Sequence, residues 1–366
     1  MHWSLFAFAG VALIGAHALR LPAAGGRIGA IGAFLGGLLL AVFAVKGVAS
    51  LSDIGRTTDF DKIVNAAVAE AVQDDRPLIV FTGASYSRNA LDPERLTIAL
   101  NEAGYRYRAI NLSIEAASVI ERDAHLQQFI ERSGRVPDVV FVEVAQAFDY
   151  RAAFMFGNSK FNARAIEQFD LRTSAWTGLG IAGGACGGTV DCVKDTGFLG
   201  VHAALNFFNV GLIGRGERAE DAGVLQSYDP QFEPRLESTP EKAGEILPVE
   251  DMPVPQWVRS YRGIMREALL ERGVRVVGYY QPPVQPADQR MYVASLCAGE
   301  LAGLPCIEPN DPALLKPLTG PVWFDRDHLL DEGAAIYTRW LSDELIESGV
   351  LDGGETVALA TAEDAS

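Results

Sequence analysis

The sequence predicts an α/β fold, a parallel β-sheet with helices on both sides, and three observations carry that prediction. Strand-like and helix-like segments alternate over most of the chain. The run from Val136 to Val144 is nearly continuous in apolar residues, the pattern of a strand buried on both faces. The apolar run after Pro77 stops at Gly83-Ala84-Ser85, which reads as a tight turn just past the end of a buried strand. With 366 residues, 49% of them hydrophobic, the chain can bury one large core.

The elements follow in order. His2 to Leu19 and Ile28 to Val45 carry no formal charge, and Arg20 and Arg27 lie between them, so residues 1–51 are expected to form a transmembrane hairpin. Gly29, Gly32, Ala33, Gly36 and Gly37 would let its two helices approach closely. A cleaved signal peptide is the alternative, but Met1-His2-Trp3 lacks the basic stretch such peptides carry. The connecting arginines place that loop in the cytoplasm and everything after Leu51 on the opposite side.

An α/β domain is expected over residues 52–351. Ile63, Val64, Ala67, Val68 and Val72 recur at helical spacing within Thr58–Asp74, and Asp59 and Asp61 suit its first turn. After the Ser85 turn come a helix over Pro93–Ala103, a strand over Tyr105–Leu112, an amphipathic helix over Glu115–Arg132 and the strand Val136–Val144. From about Ala147 to Val254 the alternation breaks, and this stretch reads as an insertion that ends in a loop or linker from Gln231 to Pro255. Its aromatics, such as Phe154, Trp176 and Phe207, could line a cleft, touch a bilayer or pack onto the core. Alternation resumes with a helix over Gln256–Arg272, the strand Val274–Tyr280, a helix over Ala287–Ala302, a short strand near Pro305–Glu308 and a helix over Asp331–Ser348. The small, acidic tail over residues 352–366 is expected to be disordered.

A formal net charge of −16 without a Lys/Arg cluster argues against a nucleic-acid partner, because phosphate binding needs a basic face. Four cysteines fall as Cys186 with Cys192 and Cys297 with Cys306. They are compatible with two small disulfide loops in an oxidising compartment, or with four buried free thiols; neither spacing is that of a zinc site.

A serine just beyond the carboxyl end of a central strand stands where ligands and nucleophiles sit in open α/β sheets, which makes Ser85 the nucleophile candidate. Its hydroxyl needs a base, ordinarily a histidine oriented by a carboxylate. Of five histidines, His2 and His17 lie in the first apolar segment, His125 is in mid-helix and His202 is in the insertion without a nearby acid. His328 is different: it lies in a loop before the last helix, in Asp325-Arg326-Asp327-His328, where the Asp-x-x-His spacing folded as a turn sets Asp325 against one ring nitrogen. Asp327 is a poorer orienter, since it directly precedes the histidine and its side chain would point away. A helix-capping loop with an exposed histidine is the plain reading of the same residues.

These residues resemble the SGNH, or GDSL-like, serine hydrolases. The first motif of that superfamily corresponds to Gly83-Ala84-Ser85, with Ala84 in place of its usual Asp, and its last motif to Asp325-Arg326-Asp327-His328-Leu329 followed by Gly333-Ala334. Its second motif looks like Asn111-Leu112-Ser113, and its third, Gly-x-Asn-Asp, should fall near Glu143–Gln146, where this chain has no asparagine. The resemblance covers Leu78–Val144 and Val274–Leu345. It implies a flavodoxin-like three-layer α/β/α sandwich with Ser85, Asp325 and His328 as catalytic residues. The backbone N–H groups of Ser85 and Ser113 would hold the oxyanion, and no cofactor or metal is implied.

Divergent, membrane-attached members of the superfamily handle acyl groups on envelope polysaccharides, as alginate-acetylation proteins do. The expectation is accordingly a serine esterase or O-acyltransferase anchored in a bacterial inner membrane, with its catalytic domain in the periplasm or outside. Its partners would be the membrane, an acyl-ester or polysaccharide substrate and a membrane acyl-donor protein. The rival readings are a catalytically inactive relative serving as a polysaccharide-binding or assembly subunit, and an accessory to a transporter. The latter is disfavoured because neither apolar segment holds an acidic or basic pair.

Overall fold

Short runs of β-branched, aliphatic and aromatic residues form the strands of the computed structural model. It describes residues 32, 36–44, 56–115, 117, 119–144, 171–183, 186, 188–208, 217–218, 226–236, 238–240, 243–244, 256–280, 297 and 304–352. The chain divides into two compact units. The larger comprises Asp59–Asn158, Ala175–Thr196 and Val224–Ser366; the smaller comprises Met1–Thr58, Ser159–Ser174 and Gly197–Gly223.

In the larger unit the strands are β1 (Leu78–Thr82), β2 (Arg108–Asn111), β3 (Val139–Glu143), β4 (Arg275–Tyr279) and β5 (Cys306–Ile307). They form one five-stranded sheet in the order β2-β1-β3-β4-β5, with every pairing parallel. Because consecutive side chains point to opposite faces, one set of strand residues meets each helical layer. Ile79, Phe81, Phe141 and Tyr279 join a core with Leu96 and Leu100 of helix α3 (Pro93–Glu102) and Tyr337 and Leu341 of helix α9 (Asp331–Glu347). The alternate residues Leu78, Val80, Val140 and Val276 pack with helices α1 (Asp59–Gln73), α4 (Val119–Ser133) and α7 (Gln256–Leu270) through Ile63, Phe129 and Leu269. Each large side chain buried in these layers contributes about 1.5–3 kcal/mol relative to exposure. The result is an α/β fold with helices on both faces of the sheet, as the alternation predicts.

Several elements are shorter than periodicity suggests. β2 begins at Arg108 rather than Tyr105, because Gly104 takes a left-handed conformation (φ 92) and the Tyr105 N–H turns back to the Leu100 carbonyl at 2.9 Å. α4 begins at Val119 rather than Glu115, since the preceding chain is held at the sheet end by the Ile114 N–H on the Gly83 carbonyl (3.2 Å). Ser85 is not in a simple turn but opens a six-residue helix, α2 (Ser85–Ala90).

Two further helices, α5 (Leu171–Ala182) and α6 (Thr189–Phe208), lie in the stretch read as an insertion. In the larger unit a short helix α8 (Pro312–Leu315) and a 3-10 turn (Pro317–Thr319) precede the histidine loop. Cys186 and Cys192 are paired, as are Cys297 and Cys306, each pair with Cα atoms 5.2 Å apart, so the free-thiol alternative falls away.

In the smaller unit, residues 36–44 are helical. Phe43 meets Phe207 edge-on at 6.2 Å, and Arg56–Thr57 pairs antiparallel with Glu217–Arg218. The expected hairpin over 1–51 lies outside the described residues apart from 32 and 36–44, and no helix among the described residues is long and apolar enough to cross a membrane. The helix expected over Ala287–Ala302 is outside them apart from residue 297, as is the tail beyond residue 352.

Candidate active site

β1 is flanked by β2 and β3, and the chain reverses its direction of travel across the sheet there, which opens a crevice beyond the carboxyl ends of the strands. Ser85 stands at that point. The chain leaves Thr82, passes Gly83, is extended at Ala84, and enters α2 with Ser85 as its first helical residue. Gly83 is required by close approach: a Cβ there would lie 2.6 Å from Glu143 Oε2 and 2.7 Å from Ser87 Oγ.

α2 is too short to be stable alone and is tied on each side. Asn111, at the end of β2, donates through Nδ2 to the carbonyls of Ser87 (3.1 Å) and Leu91 (3.0 Å). Thr338 of α9 donates to the Ala90 carbonyl and accepts the Asp92 N–H. At the end of β3, Glu143 Oε2 accepts the Ala84 N–H (3.1 Å) and the Ser87 hydroxyl.

The second half of the site is a tight loop. Trp323 and Leu329 form an antiparallel bridge, and the Phe324 N–H meets the His328 carbonyl at 2.9 Å, which constrains residues 324–328 to a compact turn. The indole N–H of Trp323 on the Leu318 carbonyl (2.8 Å) anchors the turn to the layer beneath. Gly333 lets the first turn of α9 press against it, since a Cβ there would lie 2.6 Å from the Val322 carbonyl oxygen. Within the turn, Asp325 Oδ1 accepts the backbone N–H groups of Asp327 and His328, both at 2.9 Å, and faces His328 Nδ1 at 2.8 Å.

The fold brings the two halves together. His328 Nε2 lies 3.0 Å from Ser85 Oγ. A carboxylate can only accept, so Nδ1 carries the proton toward Asp325 and the lone pair of Nε2 faces the Ser85 hydroxyl. That is the arrangement in which an imidazole can take a serine proton and have its developing charge balanced by a carboxylate. The Tyr86 ring stacks on the imidazole with centroids 5.4 Å apart. Asp327 is not the orienter; burial raises its carboxyl above the ordinary range.

The expected oxyanion donors fare differently. The Ser85 N–H is at the first helical position, where it has no intrahelical acceptor and can donate to a ligand. The Ser113 N–H, the second expected donor, meets Asn111 Oδ1 at 2.9 Å, and Ser113 is fully buried, so this amide has an acceptor of its own. Asn111 makes this so by using its amide oxygen on its own loop as well as its nitrogen on α2.

Three features were not found in the sequence. Glu143 forms a buried ion pair with Arg122, Oε1 to Nη1 at 3.1 Å; a glutamate closing an otherwise apolar strand was the available signal. Asn111 is a clamp rather than only the start of a motif. The returning limb of the insertion, including the start of the segment read as a linker, crosses both halves of the site. Arg88 and Asn89 donate to the carbonyls of Ser227 and Asp229, the Asp331 N–H meets the Gln231 carbonyl at 2.7 Å, and the Arg235 N–H meets the Phe324 carbonyl at 2.7 Å. Tyr228 adds a 2.8 Å hydrogen bond to Asp331, which also pairs with Arg95 at 2.9 Å.

His2 and His17 lie outside the described residues, and His125 and His202 are described. His125 is buried with its ring nitrogens at the carbonyls of Leu112 and Phe60, and His202 Nδ1 faces the Phe198 carbonyl. Among the described residues, no group of three or more His, Cys, Asp or Glu side chains could hold a metal ion. No protein-family model matches the sequence, and comparison with curated proteins finds no relative.

Proposed function

We propose that this chain is an SGNH-type serine esterase or O-acyltransferase, membrane-anchored and extracytoplasmic, acting on acyl esters, acetyl foremost, of envelope or exported polysaccharide. The observation that carries the reading is the relay of Ser85 Oγ, His328 Nε2 and Asp325 Oδ1, with contacts of 3.0 and 2.8 Å. The strand order β2-β1-β3-β4-β5 is that of flavodoxin-like sheets and agrees with such a hydrolase. The paired cysteines suit an oxidising compartment, and the two uncharged amino-terminal segments suit an anchor.

In this reading Ser85 Oγ attacks the acyl carbonyl carbon while His328 Nε2 takes the hydroxyl proton. The carbonyl oxygen becomes an oxyanion held by the Ser85 N–H at the start of α2. His328 returns the proton to the departing alcohol as the C–O bond breaks, leaving an acyl-serine. A water or a sugar hydroxyl then gives its proton to His328 and attacks the acyl carbon, and collapse releases Ser85 with its proton. Asp325 keeps the imidazole in the required tautomer throughout.

A second reading, a non-catalytic polysaccharide-binding subunit, draws on the engaged Ser113 amide and on the missing asparagine of the third motif. One experiment separates the two. Full-length protein is treated with an activated acetyl ester and, separately, with a serine-directed phosphonate. Ester turnover with a phosphonate adduct mapped to Ser85, both lost in Ser85→Ala, is the expected result; no adduct, and turnover unchanged in Ser85→Ala, rejects the enzyme.

A further inference from the structure

Glu143 occupies the end of β3 beside the nucleophile strand, and its carboxylate has three partners at once. Oε2 accepts the Ala84 N–H at 3.1 Å and the Ser87 hydroxyl, while Oε1 faces Arg122 Nη1 at 3.1 Å. The side chains of Glu143 and Arg122 are almost wholly buried, at 4% and 2% exposure. Arg262 contributes a further hydrogen bond to the Glu143 carbonyl at 3.2 Å.

Burying a carboxylate is costly unless its oxygens are all used, and an ion pair serving stability alone is often no better than two apolar residues. Here both hydrogen-bond donors on Oε2 bracket Ser85 in the chain. Gly83 is held to a hydrogen side chain by the same oxygen, which leaves no room for a Cβ. The carboxylate therefore defines where the chain leaves β1 and where α2 begins, and with it the position of the Ser85 hydroxyl and N–H. Arg122 offsets the negative charge that would otherwise sit behind a developing oxyanion.

We infer that Glu143, charge-balanced by Arg122, is the positioning residue of the nucleophile, a role that rests on the serine-acylation reading above. It does not touch the reacting atoms and acts through Ala84 and Ser87. The requirement is for an acceptor oxygen at this place more than for the charge itself, and that separates positioning from simple stabilisation.

The test compares phosphonate labelling of Ser85 in the full-length wild type with two double variants, Glu143→Gln/Arg122→Met and Glu143→Met/Arg122→Met, alongside thermal unfolding of each. Neither double variant leaves one member of the Glu143–Arg122 pair charged without the other. The Met variant, which strands the Ala84 N–H and the Ser87 hydroxyl, should unfold at a lower temperature than the Gln variant, so labelling is compared well below both unfolding temperatures. The Gln variant keeps an acceptor oxygen and should label within about tenfold of wild type. The Met variant keeps none and should label about 10²-fold more slowly, the cost of a small misplacement of a reacting group. The pH midpoint of labelling should stay fixed, because Asp325 and His328 are untouched. Equal labelling of the two variants overturns the inference, whereas absence of Ser85 labelling in the wild type overturns the enzyme reading itself. Should either double variant fail to fold, Ser87→Ala removes one of the two donors and keeps the charge pair; it should slow labelling severalfold at a temperature where it is fully folded, and wild-type labelling there also overturns the inference.

Discussion

The Ser85 hydroxyl and the His328 imidazole meet at 3.0 Å across 243 residues of chain. Neither belongs to a long element that would fix it by itself: Ser85 opens a six-residue helix, and His328 sits in a bridged turn. Their contact depends on the sheet holding the end of β1 beneath the start of α9, with the limb around Tyr228 tied to both sides.

The relay makes the first prediction. Ser85→Ala and His328→Ala should each remove acyl-ester turnover by at least about 10³-fold, and Asp325→Asn should lower it by up to about 10⁴-fold by disturbing the imidazole tautomer. None of the three side chains belongs to the buried core, so unfolding temperatures should change little. Steady-state kinetics and a thermal scan on the same samples decide it.

Asn111 makes three hydrogen bonds from a buried position, one to Ser87 in α2, one to Leu91 just after it and one from the Ser113 amide. Asn111→Ala should cost roughly 2–4 kcal/mol, since it leaves buried backbone groups without partners. It should also release α2 and slow Ser85 labelling. Denaturant unfolding with unchanged midpoint would contradict this clamp.

Asp331 joins the limb to the start of α9. Burial opposes its ionisation, but hydrogen bonds from Arg95 and Tyr228, with the Arg95 charge, hold its carboxyl below the ordinary value of 3.8. A carboxyl lowered on folding stabilises the folded state fully above 3.8, and that contribution is lost as pH falls through the lowered value. Asp331→Asn should therefore flatten the acid limb of the stability profile below about pH 4. Because Asp331 also helps hold the buried Tyr228 phenol protonated, the variant should change the alkaline limb as well. A profile of identical shape in wild type and variant is the contrary result.

Cys186–Cys192 and Cys297–Cys306 close short loops with sequence separations of 6 and 9. Alkylation of unreduced, unfolded protein should modify no cysteine, and all four should react after reduction. Replacing Cys297 and Cys306 together by serine should lower stability by about 2–3 kcal/mol, the loop-closure value for a span of this length. Reactive thiols in protein isolated without reductant would remove the argument for an oxidising compartment.

Gly333→Ala offers a remote perturbation of the histidine. The added methyl would press on the Val322 carbonyl and Leu329, and should displace the turn that carries His328. Turnover is expected to fall about 10²-fold with little change in the apparent affinity for a small ester, which a split of kcat from KM would reveal.

Much of this was already legible as pattern. Alternation and the apolar runs in β1 and β3 define an α/β sheet, because strand and helix periodicities are local properties of the chain. The Asp-x-x-His spacing of Asp325 and His328 points to their pairing for the same reason: a four-residue turn brings the two side chains together without help from distant residues. Ser85 was identifiable from the strand and turn before it.

What only the tertiary structure decided are the relationships between segments far apart in the chain. That Glu143 reaches back to Ala84, that Asn111 captures the Ser113 amide, and that Tyr228 and Gln231 fasten to Asp331 follow from strand order and from which polar groups must be satisfied on burial. Such pairings leave no periodicity, since each is set by the partner that packing places opposite it. The chain's own pattern determined the sheet, the Ser85 turn and the Asp-His turn; their meeting, and which backbone amides are already engaged, came from three-dimensional packing.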